Sequence, residues 1–347
     1  MNRFAYASAR TISEATASAS IVVADAMASE DAAGSTTTIV KAGGIDLLDL
    51  LKANLLAPER IVSLQTIPGL DAIAEEDGGL RIGSMATLAK VASHPLVRQR
   101  YPALADAIGR SASPQIRNVA TLGGNLLQRP RCWYFRAEAY HCLRKGGTHC
   151  FALAGENQYH AIFDNFPCAI VHPSTAATVL VALGATVELA DAAGAVRRPL
   201  LADFFGPPDE NLPCENDLKP HEILIAVHLP ALPVGIGMAH LKQGEKDSFD
   251  WPLADVAVVL DFAPEGTCKS AAVILGAAAP VPHRARAAER VLIGRRIDED
   301  VARQAGHAAL DGARPLTKNA YKLPLFETLV RRSILMAMTN RPATTKE

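Results

Sequence analysis

The sequence has no excess of charge of either sign and no long apolar run. Its 35 Lys and Arg residues balance 36 Asp and Glu residues, which leaves a formal net charge of −1. A chain without a basic excess lacks the composition typical of nucleic-acid binding, and no charge-free apolar run is long enough to span a membrane. We therefore expect an ordinary soluble protein with no nucleic-acid partner and no membrane span, whose 347 residues suffice for two or three domains.

The common catalytic signatures are missing as well. The sequence has no Ser-His-Asp order, no H-E-x-x-H pair, no P-loop, no paired carboxylates and no internal repeats. His160 and His172 have no evident partner that would make either one a base, and we interpret both as framing residues of the loop between them. The sequence thus predicts no catalytic residue.

A secretory signal is also lacking, because no apolar segment follows Met1–Tyr6. We therefore expect that the chain does not direct its own export. Its six cysteines fit a reducing compartment with metal-bound thiols.

What the sequence does have is a cysteine-rich segment between Ala120 and Thr175. It opens with the small-residue turn Ala-Thr-Leu-Gly-Gly-Asn-Leu at 120–126, and it ends on His-Pro-Ser-Thr at 172–175. Between them lie Cys132, Cys142, Cys150 and Cys168, separated by nine, seven and seventeen residues. The two remaining cysteines, Cys214 and Cys268, lie outside this segment.

These four cysteines allow several interpretations. Free cysteines often pack as small core residues, but the many Arg, Lys, His and Gly residues around them are not typical of a core segment. Structural zinc usually uses paired C-x2-4-C knuckles, which this segment lacks, and disulfides need an oxidising compartment. Four thiolates at irregular spacing suit a [4Fe–4S] cluster, and the nearby cations would favour the thiolate form. The residues alone favour a cluster and leave zinc and core packing open.

A second glycine-rich turn lies at 41–47. The β-branched stretch Thr36–Val40 predicts a buried strand, and leucines from Leu47 to Leu55 recur at helical spacing after Gly43 and Gly44. A strand, a double-glycine turn and a helix N-terminus form a natural anion site. A plain strand–helix connection is the alternative, since the turn is not a G-x-G-x-x-G motif.

Several motifs together resemble one protein family. They are Gly-Gly-Asn-Leu-Leu-Gln-Arg-x-Arg-Cys-x-Tyr-Phe from Gly123, the three later cysteines, His160-Ala161 and His172-Pro173-Ser174. The chain resembles the FAD-binding (medium) subunits of the xanthine dehydrogenase/molybdenum hydroxylase family. Within that family it is similar to the branch in three-subunit aldehyde oxidoreductases, whose flavin subunit carries a [4Fe–4S] cluster.

The resemblance implies an α+β fold with a vanillyl-alcohol-oxidase/PCMH-type FAD-binding domain. That domain would span residues 1–232, with two α/β subdomains of about 1–55 and 56–232 and a cluster-carrying insertion at about 128–170. A C-terminal domain like that of the carbon monoxide dehydrogenase flavoprotein, with an antiparallel sheet and helices, would span 233–347.

The resemblance also implies the cofactor contacts. The FAD-binding residues it predicts are Ile39, Val40, Lys41, Ala42, Gly43, Gly44, Ile45, Asp46, Leu47, Thr121, Gly124, Asn125, Thr175, Leu224 and Lys242. The cluster ligands it predicts are Cys132, Cys142, Cys150 and Cys168.

Three positions depart from the family pattern. Ile45 replaces a threonine of the pyrophosphate loop, Thr175 replaces an aspartate after His-Pro-Ser, and Lys246 replaces an arginine near the flavin ring. Amide contacts do not depend on side chains, so the loop assignment stands. The planar fork of the arginine is lost at position 246.

The function implied is electron transfer in a heterotrimeric molybdenum-dependent aldehyde oxidase or dehydrogenase. The partners would be a large molybdenum-cofactor subunit and a small subunit with [2Fe–2S] clusters. The location would be cytoplasmic, or periplasmic only if an exported partner carries the chain. The alternatives are a flavin subunit of a 4-hydroxybenzoyl-CoA-reductase-like or xanthine-dehydrogenase-like enzyme, and a stand-alone flavin oxidase.

The remaining patterns predict secondary structure. Helices are expected at 13–28, 88–93, 103–108, 174–182, 284–293, 298–311 and 323–338, and strands at 60–64, 80–82, 223–229, 237–242, 256–262 and 270–278. A hairpin across Gly194 should pair 185–189 with 196–200, and 206–222 should be an exposed loop. We also expect Trp133, Tyr134 and Phe135 to be interface anchors as much as core residues, with the surface around the cysteine-rich segment buried against a partner.

Overall fold

The computed structural model describes residues 1–28, 37–206, 213–246 and 249–340. They form three sheets covered by helices. Within these ranges no helix is both long and apolar enough to cross a membrane.

The first sheet is small and parallel. Its strands are β1 (Ala5–Ser8), β2 (Thr38–Lys41) and β3 (Arg60–Ser63), in the order β1-β3-β2. The helices of this unit are α1 (Ile12–Ser18), α2 (Val23–Ala28) and α3 (Ile45–Lys52). Because α3 follows β2 after only three residues, the glycine turn lies at the C-terminal end of the edge strand β2, on the side of the parallel sheet where ligands of α/β units bind.

The second sheet is antiparallel and has five strands. They are β4 (Ile73–Glu76), β5 (Gly79–Gly83), β6 (Thr186–Asp191), β7 (Val196–Arg197) and β8 (Glu222–Leu229), in the order β4-β5-β8-β6-β7. Its helices are α4 (Leu88–Ser93), α5 (Pro95–Arg100), α6 (Pro102–Gly109), α7 (Pro114–Arg117), α10 (Thr175–Ala182) and α11 (Leu201–Phe204). The long β8 lies at the centre, so its apolar residues face the main core.

The cysteine-rich segment has little regular structure. It contains only α8 (Leu122–Leu126), α9 (Trp133–Arg136) and a 3-10 turn at Leu143–Lys145 before α10 begins. Most of its backbone from 137 to 174 is loop, as a segment that wraps around a bound group requires.

The third sheet forms the C-terminal part of the chain. Its strands are β9 (Gly237–Gln243), β10 (Ala254–Phe262), β11 (Cys268–Gly276) and β12 (His283–Arg284), all antiparallel. Helices α12 (Arg286–Leu292), α13 (Glu299–Ala308) and α14 (Lys322–Thr339) cover one face. Its other face, with Met238, Ala257 and Ile274, joins the core of the second sheet.

The structure agrees with most of the strands and helices predicted from the sequence, with several differences. The expected helix at 13–28 is two helices, because the chain breaks at Ala19, whose carbonyl accepts the amide of His221. The short strands β1, β4 and β12 and the short helices α5, α7, α9 and α11 were not predicted. In the loop expected to be exposed at 206–222, Cys214 and Glu215 are buried. The 120–126 turn contains the short helix α8. Thr36 and residues 207–212 of the expected strand and loop lie outside the described residues.

A buried ionic group joins the second and third sheets. His240 on β9 forms a short hydrogen bond with Asp255 on β10, and its other ring nitrogen lies 3.7 Å from the carboxylate of Asp106 on α6. Thr178 on α10 donates to the second oxygen of Asp255 at 3.0 Å. Burial alone would lower the pKa of His240, but the two carboxylates raise it to about 9. The imidazole is therefore charged at neutral pH.

This group predicts a pH-dependent stability. The folded pKa of His240 lies above its ordinary value of 6.5, so its stabilisation is complete below that value and is lost as the pH rises through about 9. Replacing His240 by Gln should lower the free energy of unfolding by roughly 3 kcal/mol at pH 6 and by much less at pH 10. Denaturant titrations at both pH values measure this difference.

The matched control is His307→Gln, because His307 is an exposed residue of α13 with only a distant carboxylate, Glu327, at 3.9 Å. It should leave the unfolding free energy unchanged. An equal loss for His240→Gln at both pH values would show that the site is not ionic.

Candidate functional site

A large cavity lies where the first sheet, the second sheet and the cysteine-rich segment meet. Its volume is about 620 Å³, which is within the range of cofactor pockets. All but two of the FAD contacts predicted from the sequence line it. The two exceptions are Gly43 and Thr121.

The β2–α3 loop has the geometry of an anion site. Gly44 is the N-cap of α3 and has a φ of +88°, a left-handed conformation that favours glycine. The amides that follow it in the first turn of α3 have no partners within the helix, and the helix dipole favours negative charge there. Lys41 supplies a cation beside them, since a Cβ on Gly44 would meet its Cε at 2.7 Å. The loop therefore fits a diphosphate.

Gly43 and Thr121 shape the cavity from behind its wall. A Cβ on Gly43 would lie 2.2 Å from the carbonyl oxygen of Val119, so only glycine lets the two glycine-rich loops approach this closely. The hydroxyl of Thr121 accepts a hydrogen bond from the amide of Gly124 at 3.2 Å and caps α8. Both residues hold the lining in place.

Asn125 is oriented by a second cap. Ser174 donates from its hydroxyl to Oδ1 of Asn125 at 2.5 Å and accepts the amide of Ala177 at the start of α10. Because the Asn125 oxygen is engaged, its amide nitrogen remains as the donor toward the cavity. The imidazole of His172 accepts the amide of Ser174 at 3.3 Å, so His172 frames this turn as expected.

Of the three residues that depart from the family pattern, two line the large cavity and one does not. Ile45 and Thr175 line the cavity, with Thr175 buried at the first position of α10. Lys242 also lines it, its amine donates to the carbonyl of Arg110 at 3.3 Å, and burial lowers its pKa. Lys246 is exposed and does not line the cavity.

Asp46 ties the flavin-type loop to the cysteine-rich segment. Its carboxylate accepts the backbone amide of Arg129 at 2.8 Å, and it pairs with the guanidinium groups of Arg131 at 2.8 Å and Arg136 at 2.7 Å. Asp46 therefore lines the cavity with its charge already neutralised. These contacts join residues that lie 83 to 90 positions apart, so no local sequence pattern predicts them.

Arginines also hold the aromatic residues at the rim. Arg131 lies over the ring of Trp251 at 4.7 Å, and Arg117 lies over the ring of Phe249 at 5.8 Å. Both aromatic residues line the cavity and are exposed. Residues 249–252 thus contribute a wall of the cavity from the C-terminal part of the chain.

The four cysteines of the cysteine-rich segment surround a second, small pocket. Cys132, Cys142, Cys150 and Cys168 all line it, and none of them forms a disulfide. A hydrogen bond between Cys168 and Cys150 lowers the pKa of Cys150 to about 6 and, with burial, raises the pKa of Cys168. The fold therefore brings together residues that lie up to 36 positions apart.

Each of these four sulfurs accepts at least one hydrogen bond from a backbone amide. The donors are Tyr134 and Phe135 for Cys132, Arg144 and Lys145 for Cys142, Ala152 and Ala169 for Cys150, and Ile170 for Cys168. Amides directed at sulfur favour the thiolate, and hydrogen bonds to sulfur are a feature that tunes iron–sulfur sites. Burial opposes them and raises the pKa of Cys132 to about 12, so a metal would have to displace the protons.

Cys214 and Cys268 behave differently. The thiol of Cys214 donates to the carboxylate of Asp25 at 3.7 Å, and that of Cys268 donates to the carbonyl of Ser270 at 3.4 Å. Burial raises the pKa of both thiols to about 11. Both thiols donate to oxygen atoms and neither lines the small pocket, which separates these two cysteines from the four around it.

Two charged or polar side chains contact the pocket's sulfurs directly. His160 places Nε2 3.2 Å from the sulfur of Cys132, and burial lowers the pKa of His160 to about 4, so its ring is neutral. Arg144 donates from Nε to the sulfur of Cys168 at 3.3 Å. Asn319 donates to the carbonyls of His160 and Ala161 and so holds this wall.

The sulfur atoms that line the small pocket are suitable ligands for an iron–sulfur cluster, but the volume of the pocket is smaller than that of a cluster. The space between the sulfurs is about 10 Å³, room for about one water molecule, so a cluster would occupy volume that the thiols fill here. In the described part of the chain, no three His, Cys, Asp or Glu side chains have the arrangement of a single-ion site. Ligands of a cube bind different irons, so they need not converge on one point.

One aromatic residue of the expected interface is buried. Phe135 is 1% exposed and packs in the core of the first sheet with Ile39, Leu50 and Cys142. Trp133 is 37% exposed and Tyr134 is partly buried, so only Trp133 presents much surface. Of the two expected roles, Phe135 therefore has that of a core residue, because the chain turns into α9 and points that ring inward.

Sequence reasoning missed one group of lining residues. Cys214 and Glu215 line the large cavity together with Arg129. The Arg-x-Arg-Cys run pointed to Arg129, but nothing local distinguishes Glu215, which lies in a loop between distant elements.

Family comparisons agree with this arrangement. Residues 2–232 match the family described as the FAD binding domain in molybdopterin dehydrogenase. Residues 239–337 match the carbon monoxide dehydrogenase flavoprotein C-terminal domain.

Similar proteins cover most of the chain. The aldehyde oxidoreductase FAD-binding subunit PaoB of Escherichia coli (strain K12) is 36% identical over 82% of this chain and 86% of that protein. The nicotine 6-hydroxylase medium subunit of Paenarthrobacter nicotinovorans is 30% identical over 85% of this chain and 88% of that protein.

Solved structures show the same fold. Carbon monoxide dehydrogenase from Hydrogenophaga pseudoflava matches with a TM-score of 0.74 at 24% identity, over 98% of this chain and 99% of that chain. Quinoline 2-oxidoreductase from Pseudomonas putida 86 matches with a TM-score of 0.72 at 24% identity, over 97% and 98%. The predicted fold class, a FAD-binding domain followed by an antiparallel sheet with helices, is confirmed.

The loop geometry predicts the effect of a change at Gly44. Replacing Gly44 by Val imposes a β-branched residue at a φ of +88° and drives its Cβ against Lys41. The loop should shift away from the diphosphate position, and FAD per purified chain should fall by at least tenfold. Flavin content after gel filtration measures it.

Gly194→Val is the matched control, because Gly194 has a φ of +83° in the β6–β7 turn and no atom within 4 Å of its Cβ position. The Gly194→Val variant has the same kind of backbone strain, but the strain lies outside the β2–α3 loop. If both variants lose FAD equally, instability explains the loss, and if Gly44→Val keeps its FAD, this loop does not bind the diphosphate.

Proposed function

The chain belongs to the FAD-binding medium subunits of the molybdenum hydroxylase family, and from this premise we propose that it carries FAD and one [4Fe–4S] cluster as the electron-transfer subunit of a heterotrimeric aldehyde oxidase or dehydrogenase. Oxidoreductase function and FAD follow from the family. The cluster, the aldehyde and the partners are the proposal.

The observation that carries the proposal is the contrast among the six cysteines. Four sulfurs line one pocket and accept backbone amides, while the other two donate to oxygen atoms. Ordinary core thiols do not need amide donors directed at four sulfurs from distant positions. Four thiolate ligands do need such donors, because the donors stabilise their negative charge.

The residues around each pocket divide the binding roles. We assign the diphosphate of FAD to the amides after Gly44, with Lys41 beside them, and a hydrogen bond to the amide group of Asn125. Thr175 and Leu224 line the same cavity, and Lys242 contributes a cation at the end near Trp251. The cluster ligands are Cys132, Cys142, Cys150 and Cys168.

The two pockets share a wall, which favours a role in electron transfer. Arg131 lines the large cavity and the next residue, Cys132, lines the small pocket. When bound, FAD exchanges electrons singly or in pairs and an iron–sulfur cluster exchanges them singly. The chain's own contribution is to hold both sites at one wall and to place cations on either side of it.

The aldehyde substrate rests on the relative named as an aldehyde oxidoreductase subunit. We propose that the oxidation takes place on a large molybdenum-cofactor subunit, and that a small [2Fe–2S] subunit delivers electrons to this chain. The complex would be cytoplasmic, or periplasmic with an exported partner. Residues 1–232 and 233–347 would be its FAD-binding and C-terminal domains.

Single cysteine replacements test the cluster. Replacing Cys132, Cys142, Cys150 or Cys168 by Ser should reduce iron per chain severalfold, because serine is a poor ligand for iron in a cube and one open corner destabilises it. Iron, sulfide and zinc are measured on each purified variant, together with the visible spectrum.

Cys214→Ser and Cys268→Ser are the matched controls, since both thiols are buried but donate to oxygen. Both should keep the iron content of the unchanged chain. Zinc in place of iron in the unchanged chain would contradict the cluster, and iron lost only with Cys214 would contradict the ligand set.

A second prediction concerns the division of labour. The purified chain alone, loaded with FAD and iron, should not reduce a dye with any aldehyde, because among the described residues no histidine–carboxylate pair lines either of the two cofactor pockets. Dithionite-reduced chain should still pass electrons to the same dye. The assembled complex is the positive control, and aldehyde-dependent dye reduction by the chain alone would favour the flavin oxidase alternative.

A further inference from the structure

A buried group of three charged residues lies between the two pockets. Glu215 pairs with Arg144 at 2.8 Å through one carboxylate oxygen and with Arg129 at 3.4 Å through the other. The exposed fractions are 7%, 1% and 3% for Glu215, Arg144 and Arg129. An ion group this deeply buried is costly unless its charges are balanced.

This group spans the wall from one pocket to the other. Arg129 and Glu215 line the large cavity, while Arg144 lines the small pocket and donates from Nε to the sulfur of Cys168 at 3.3 Å. The same guanidinium also donates to the carbonyl of Cys214 at 3.2 Å. Glu215 therefore fixes the position from which Arg144 reaches Cys168.

The charges of the group do not cancel. Two guanidinium cations share one carboxylate, which leaves one positive charge buried at the wall. Apart from the ion pair with Glu215, the guanidinium nitrogens of Arg129 find no hydrogen-bond partner in the described part of the chain, and the guanidinium lies over the ring of Phe135 at 4.9 Å. An excess buried cation calls for an anion nearby, and four thiolates around an iron–sulfur cluster would supply it.

We propose that Arg144, held by Glu215, is a positioning residue that raises the reduction potential of the centre bound by the four cysteines. The proposal rests on the proposed function, because it needs a cluster in the small pocket. A donor to a ligand sulfur and a cation beside it both stabilise the more negative, reduced state.

Opposite changes of charge should shift the potential in opposite directions. Arg144→Gln removes the cation and its fork, so the centre should become harder to reduce. Glu215→Gln removes the negative charge but keeps an oxygen that can accept from Arg144, so the centre should become easier to reduce. A residue that only supports the fold would lower the iron content in both variants without shifts of opposite sign.

The test is a redox titration of the assembled complex, followed by low-temperature electron paramagnetic resonance, with iron and FAD per chain measured on each variant. Each single variant should change the reduction equilibrium by about tenfold, which is about 59 mV for a one-electron centre. Arg144→Lys keeps the charge without the fork and should give a smaller downward shift than Arg144→Gln.

Two further variants keep the test decisive. The double variant Arg129→Gln/Glu215→Gln removes one cation with the carboxylate, keeps the net charge of the wall and should return the potential close to that of the unchanged complex. Glu188→Gln removes another buried carboxylate, paired with Arg198 at 3.0 Å but lining neither pocket, and should not shift the potential.

The outcomes separate this proposal from the function it depends on. An unchanged complex that holds no iron on this chain would overturn both. An intact cluster whose potential is unmoved, or moves the same way in Arg144→Gln and Glu215→Gln, would overturn the role of Arg144 alone.

Discussion

The structure depends most on the carboxylate of Asp46. It stands in the first turn of α3, one residue after the loop that fits a diphosphate, and it binds the amide of Arg129 and the guanidinium groups of Arg131 and Arg136. These three residues flank Cys132. A single side chain therefore fixes the cysteine-rich segment onto the flavin-type loop, and it does so with a charge that would otherwise repel a diphosphate. Neutralising that charge with arginines makes the same residue acceptable at an anion site.

Beyond the contacts of Asp46, packing and hydrogen bonds hold the rest of the wall between the large cavity and the small pocket. Phe135 enters the core of the first sheet beside Ile39, which brings Cys132 and Cys142 to the back of the flavin cavity. From the other side, Asn319 holds the carbonyls of His160 and Ala161, and Lys322 donates to the carbonyls of Ala277 and Tyr159. The C-terminal part of the chain thus supports one wall of the small pocket, although none of the four cysteines around the pocket lies in it.

The sequence predicted the features that local chemistry determines. Thr87 and Ser174 accept the amides three residues ahead of them and so begin α4 and α10 close to the expected starts at 88 and 174, and the four clustered cysteines line one pocket. The features it missed depend on distant contacts. The helix expected at 13–28 breaks because the carbonyl of Ala19 bonds the amide of His221, more than 200 residues away. Glu215 gave no signal for the same reason, since its two arginine partners belong to another segment.

The separation of the six cysteines has the same physical origin. Burial raises the pKa of Cys132, Cys142, Cys168, Cys214 and Cys268 alike, so burial cannot distinguish a ligand from a core thiol. The hydrogen-bond direction does distinguish them, because a loop that turns its amides toward a sulfur stabilises a thiolate, whereas an oxygen beside the sulfur stabilises the thiol. Irregular loops can present such amides and regular strands cannot, since strand amides are used in the ladder. That is why Cys268, in β11, is a core residue, while the cysteines of the loop-rich segment surround a pocket.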